Sequence, residues 1–221
     1  IGLRCPAHPV AQALLREAAR LGVAGVAAPS ANRYGRISPT RAAHVGSEFA
    51  GLVPELLVLD GGDCPVGIES AIVDCSRGRP VLLRPGTLTR ERLEAAAGEA
   101  LGAADAAAPR APGTLASHYA PRATLRLMPG AALRTALEVL PAESLPAAGA
   151  RRLAVYSRSF AVPSRLNGRR MPDDPAAAAQ ELFAVLRAFD DDGAQLIWVE
   201  APPPDAAWDG VRDRLQRAAT R

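Results

Sequence analysis

At 221 residues the chain is long enough for one large domain or two small ones, and a hydrophobic content of 48% excludes wholesale disorder. All 26 of its basic residues are Arg, set against 23 acidic ones, and a net charge of +3 is too mild to tell a nucleotide ligand from a nucleic acid. Three cysteines, Cys5, Cys64 and Cys75, lack C-x-x-C spacing and argue against zinc or a disulfide framework, no apolar run approaches the ~20 residues of a membrane span, and nothing reads as a signal peptide, so a reduced, cytoplasmic protein is expected.

Gly2 to Pro9 reads as a strand end turning into a helix, punctuated by Pro6 and Pro9. Val10, Leu14, Ala18 and Leu21 then repeat at helical spacing, and Gly22 is the stop. Val23 to Ala28 reads as a short buried strand. It delivers Pro29-Ser30-Ala31-Asn32 to its C-terminal edge, where open α/β sheets hold ligands. After Gly35-Arg36-Ile37, Ser38 reads as the N-cap of a helix with Pro39 at its first position and His44 a plain helix residue. Leu56 to Asp60 reads as another strand, Asp60-Gly61-Gly62 as a turn. Glu69-Ser70 precede a strand at Ala71 to Val73, and Pro80 to Leu83 forms one that ends beside Arg84.

Between Ala27 and Gly86, then, β-prone runs alternate with small hydroxyl and glycine turns. Backbone amides in such turns approach an anion closely, and Ser hydroxyls both donate and accept. Arg84 adds a planar, forked cation suited to phosphate or carboxylate. An anionic-ligand site built on sheet edges is the chemical reading.

Thr89 to Leu101 predicts an amphipathic helix capped by Thr89. Residues 102–110 are rich in Ala and Pro and mark a boundary. The linker from Pro112 to Pro121 carries His118-Tyr119, which a passive tether does not need. The tail alternates: strand Ala123 to Leu127, helix Ala131 to Leu140, strand Arg152 to Tyr156, helix Asp174 to Phe189, strand Gln195 to Glu200, helix Trp208 to Ala219. That order predicts a small parallel α/β domain, without a glycine fingerprint, catalytic dyad or metal-ligand cluster.

Taken together, the Pro-Ser-Ala-Asn at 29–32, Ser-Pro-Thr at 38–40, Asp-Gly-Gly at 60–62, Gly-Ile-Glu-Ser at 67–70, Ile-Val-Asp at 72–74 and Leu-Arg-Pro-Gly at 83–86 resemble the YrdC/Sua5 family, the L-threonylcarbamoyladenylate synthases. The segment Ala111 to Pro121 is similar to the linker of the longer, Sua5-type members. The resemblance implies an α/β fold: the C-terminal part of a YrdC-like twisted, open mixed sheet at 1–109, a linker or lid at 110–122, and a Rossmann-like parallel Sua5 accessory domain at 123–221. It also implies a further N-terminal part of the catalytic domain before Ile1, without which this stretch alone is expected to be inactive.

The activity implied is formation of threonylcarbamoyl-AMP and pyrophosphate from L-threonine, bicarbonate and ATP, with magnesium. The product is passed to the proteins that build N6-threonylcarbamoyladenosine in tRNA. By the same resemblance Arg4, Ala28 and Ser70 contact threonine, Ser30, Asn32, Ser38 and Arg84 bind ATP, and His118 and Tyr119 belong to the lid. No side chain is assigned as a nucleophile and no protein metal site is implied. Tyr34 and Ala71 depart from the family's usual Ser and Thr. Two other readings stay open: a carbamoyl-adenylate-forming relative, and an RNA-binding module, though aromatics are only 4% and no stacking platform for nucleic acid is visible.

Overall fold

A computed structural model describes residues 1–140 and 152–220, which two sheets organise. Residues 141–151 and Arg221, within the expected accessory domain, lie outside the described residues. In the first part, helices α1 (Pro9–Arg20) and α2 (Ala42–Phe49) precede an antiparallel pair, β1 (Ile72–Asp74) and β2 (Val81–Arg84). The β1–β2 turn is set by Asp74, whose carboxylate accepts the Ser76 amide at 2.9 Å and its hydroxyl at 2.7 Å. Helix α3 (Arg90–Ala97) follows, capped by Thr89 and ended by Gly98 at φ 75°. β3 (Gly102–Ala103) then joins β2 in parallel.

Three strand expectations fail here. The stretch before Pro9, Val23 to Ala28 and Leu56 to Asp60 are irregular and largely exposed. β-prone side chains make a strand only where a neighbour accepts the backbone ladder, and among the described residues none lies alongside. Several apolar residues of α1 and of 52–59, Val10, Leu14, Leu52, Val53, Leu56 and Leu57 among them, are exposed as well. Ser38 also departs from expectation. α2 starts at Ala42 with Arg41 in the cap position, so Ser38 caps nothing; its hydroxyl is drawn to Glu69 instead.

The tail folds as a four-stranded parallel sheet from β4 (Thr124–Met128), β5 (Leu153–Ser157), β6 (Asn167–Arg170) and β7 (Leu196–Glu200), in the spatial order β4-β7-β5-β6. Helices α4 (Gly130–Glu138), α5 (Pro175–Asp191) and α6 (Asp209–Ala219) cover it. The whole of β5 is buried, as a central parallel strand should be. α5 starts where the sequence says: Asp174 accepts the Ala177 amide at 2.7 Å and Pro175 takes the first turn. Leu182, Phe183, Leu186 and Phe189 of α5 are fully buried against Ile197, Val199 and Leu215. The parallel α/β expectation for the tail is met. β6 was not foreseen, because Asn-Gly-Arg-Arg has no β-prone core; it is a polar edge strand held by pairing with β5.

Two close approaches join the parts. The Gly67 backbone packs on α5, where a Cβ would fall 2.2 Å from the Gln180 carbonyl. Gly210 of α6 packs on Gly86, at 2.6 Å from its carbonyl by the same measure. Only glycine permits contacts this short. Among the described residues no helix is long and apolar enough to cross a membrane.

Candidate functional site

The site grows from three turns that the chain brings to one place. The Ser38 hydroxyl, 7% exposed, donates to Glu69 Oε1. Arg84, at the end of β2, forks onto the Ser70 carbonyl through Nε at 3.2 Å and Nη2 at 2.9 Å. Its Nη1 donates to the Pro112 carbonyl at 2.9 Å and lies 3.4 Å from Tyr119 Oη. The Ser-Pro-Thr turn, the Gly-Ile-Glu-Ser turn, the Leu-Arg-Pro-Gly turn and the linker are therefore tied together by side chains. Arg84 is 3% exposed and bonds mainly to the protein, so its part in the site includes fixing Ser70.

Around this knot the remaining candidates are placed less tightly. Ser70 is exposed, as are Ala28 and Ser30 on the irregular 23–30 segment. Arg4 is exposed with no ion pair among the described residues. His8 packs its ring against Gly61, which brings the Arg4–His8 segment to the Asp-Gly-Gly turn. Asn32 donates to the carbonyls of Arg33 and Arg36 at 3.0 and 3.1 Å, bracing the 33–36 loop, while its Oδ1 is buried without a partner among the described residues.

The linker lies against both parts. The Ala120 amide donates to the Gly35 carbonyl at 2.9 Å, forming a parallel bridge with Arg36. The His118 amide donates to the Arg217 carbonyl at 3.3 Å. Tyr119 is 1% exposed at φ 60°, in the left-handed region; its ring stacks on Phe183 at 5.4 Å, and the Arg214 guanidinium lies 5.3 Å from the ring centre. The Tyr119 side chain is thus core, and only its Oη reaches Arg84. The His118 ring is half-buried, and its Nδ1 has no partner among the described residues. Burial and the nearby arginines pull the His118 imidazole below its ordinary value, against the opposing pull of Glu69.

Sequence reasoning missed the two residues that hold the turns in place, both on helices of the tail. Arg187 of α5 donates to the Ser38 carbonyl at 3.3 Å, to the Ile37 carbonyl, and to Glu48 of α2 at 3.0 Å. Arg214 of α6 is fully buried. Its Nε meets Glu69 Oε2 at 3.0 Å, its Nη2 the Glu69 carbonyl at 2.9 Å, and its Nη1 both the Pro85 carbonyl at 2.9 Å and Asp213 at 2.8 Å. Burial pushes the Glu69 carboxyl up, but Arg214 and the Ser38 hydrogen bond outweigh it and hold the group below the usual carboxylate range. In a chain with 26 arginines no local pattern marks these two. An open cleft of about 600 Å³, lined by Arg33, Tyr34, Arg36, Ser47, Glu48 and Arg122, lies beside the 33–36 loop and includes no residue expected to touch substrate.

Among the described residues no group of three or more His, Cys, Asp or Glu could hold a metal ion. What the arrangement brings together is the Ser38 hydroxyl, the Glu69 carboxylate, the Ser70 turn and the arginines that brace them.

Comparison with known proteins agrees over the whole chain. Residues 88–220 match the family model Sua5_C, threonylcarbamoyl-AMP synthase, C-terminal domain, and residues 1–86 match Sua5_yciO_yrdC, described as telomere recombination. A Bacillus subtilis threonylcarbamoyl-AMP synthase is 34% identical over 99% of this chain, and one from Pyrococcus abyssi 32% over 99%. The chain spans 63% and 64% of the length of these two relatives. The crystal structure of P. abyssi Sua5 complexed with L-threonine superposes with a TM-score of 0.79 at 30% identity, covering 98% of this chain and 63% of that one. On its turns, its tail and these matches alike, the chain belongs to the Sua5 family of threonylcarbamoyl-AMP synthases.

Proposed function

We propose that the protein carrying this chain joins L-threonine, bicarbonate and ATP into L-threonylcarbamoyl-AMP and pyrophosphate, for the enzymes that make N6-threonylcarbamoyladenosine in tRNA. The observation that carries this reading is the convergence of the Ser38, Glu69-Ser70 and Arg84 turns on one point, in a chain whose relatives bear that activity as their name. In this reading Arg4, Ala28 and Ser70 hold threonine, Ser30, Asn32, Ser38 and Arg84 serve the nucleotide, and residues 110–122, with His118 and Tyr119, close the site between units 1–109 and 123–221.

The chemistry asks for no protein nucleophile. The threonine amine takes up bicarbonate, or the carbon dioxide formed from it, to give a carbamate with loss of water and a proton; a carbamate oxygen then attacks the α-phosphorus, and pyrophosphate leaves. The protein's work is to align the two reactants, exclude water from a labile carbamate and offset growing negative charge. Magnesium, where it takes part, would be held by the ATP phosphates and would offset their charge.

The test is pyrophosphate release, measured with each substrate omitted in turn. Release that requires threonine, bicarbonate and ATP together supports the reading; release indifferent to threonine overturns it.

A further inference from the structure

Ser38 has one proton, and it is spent inside the protein. The acceptor is Glu69 Oε1, while Glu69 Oε2 is held by Arg214. Arg214 has no accessible surface and donates to four acceptors, two of them on Glu69 and one on Pro85, so it sets the position of both the turn before Ser70 and the turn after Arg84. The Tyr119 ring closes over its guanidinium. Arginine has no acceptor atom, so the Glu69 oxygen that faces it is fixed, and the other is left to receive the Ser38 proton. Ser38 therefore turns lone pairs, and not its proton, toward the site, which suits a hydroxyl or amino donor of the nucleotide and not a phosphate oxygen.

We infer that Arg214, a residue of the C-terminal helix, is a positioning residue of the nucleotide site: acting through Glu69, it fixes the direction of the Ser38 hydroxyl and the placement of the Ser70 turn. The inference rests on the proposed assignment of Ser38 to the nucleotide. It gives the C-terminal domain a defined part in the site, beyond covering it.

Glu69→Gln separates this role from plain stability. The amide oxygen must turn to Arg214, which only donates, so the amide NH₂ meets Ser38 and forces its hydroxyl to accept. The side chain keeps its shape while the Ser38 proton is redirected into the site. Calorimetry with ATP and with L-threonine on the protein carrying this chain should find ATP affinity about tenfold weaker in Glu69→Gln, the scale of one hydrogen bond, and weaker also in Arg214→Lys, which leaves Glu69 less firmly held. In a Ser38→Ala background, Glu69→Gln should have no further effect on ATP. The cycle is readable from Glu69 and Ser38 variants alone if Arg214→Lys does not fold.

Unchanged ATP affinity in Glu69→Gln, or the same loss with Ser38 already removed, overturns the inference while the proposed function stands. Failure of the unaltered protein to bind ATP removes both.

Discussion

The backbone of Gly67 rests on the carbonyl of Gln180, so closely that a Cβ on Gly67 would stand 2.2 Å from that oxygen. Gly67 also has φ 81°, where an L side chain is strained whatever the space. Gly67→Ala therefore meets two obstacles, and the α5 backbone that opposes it cannot rotate away. We expect a loss of about 3 kcal/mol in denaturant unfolding. A loss under about 1 kcal/mol would mean that the turn and α5 are not packed as described.

Ser70 stands exposed beside a carbonyl that Arg84 holds from behind. Ser70→Ala should weaken L-threonine binding by about 1.5–3 kcal/mol, the range for a hydrogen bond to a charged group, and leave ATP binding nearly intact. Calorimetry showing unaltered threonine affinity would take Ser70 out of the site.

Arg84→Lys keeps the charge and loses the fork. A lysine cannot serve Ser70, Pro112 and Tyr119 together, so the linker should loosen by about 2 kcal/mol and nucleotide use should fall with it. Limited proteolysis within 111–121 reads the first effect, turnover the second. Wild-type values for both would leave Arg84 without either role.

The Glu69 carboxyl is held below the ordinary carboxylate range, so the sign of its pH linkage is fixed. Its contribution to stability is complete above the ordinary carboxylate value of about 4.3 and is lost as pH falls through the lowered folded value. The melting temperature of the unaltered protein should exceed that of Glu69→Gln most at neutral pH, and the gap should close in acid. A gap that is constant from pH 7 to 3 would show that the ion pair with Arg214 contributes nothing.

Much of this was legible in the sequence because the information was local. Pro9, Gly22, Thr89, Asp174 and Pro175 mark helix ends through their own backbone preferences, and each acts as read. The turns from Pro29 to Gly86 were recognisable by residue type and order. What escaped was non-local. Val23 to Ala28 has strand chemistry and no adjacent ladder; β6 has a ladder and no strand chemistry. Ser38 before Pro39 carries every sign of a cap, yet the helix starts only at Ala42, and the Ser38 hydroxyl donates to a carboxylate 31 residues away. Arg187 and Arg214 matter for where their helices lie, which no window around them records.

The distances along the chain between the groups that meet in the site also bear on how it forms. Arg214 reaches Glu69 across 145 residues and Arg187 reaches Ile37 across 150. Closing such loops is entropically costly and pays back only when the partners are already placed, so these contacts belong to the late part of folding. The β4–β7 sheet, whose helices carry both arginines, must be largely built before it can receive the turns at 37–38 and 67–70. On the ribosome, those turns emerge before α6 and wait for it to be made. Refolding followed at Tyr119, which sits between Arg84 and Arg214, should accordingly lag behind the helical signal of α5.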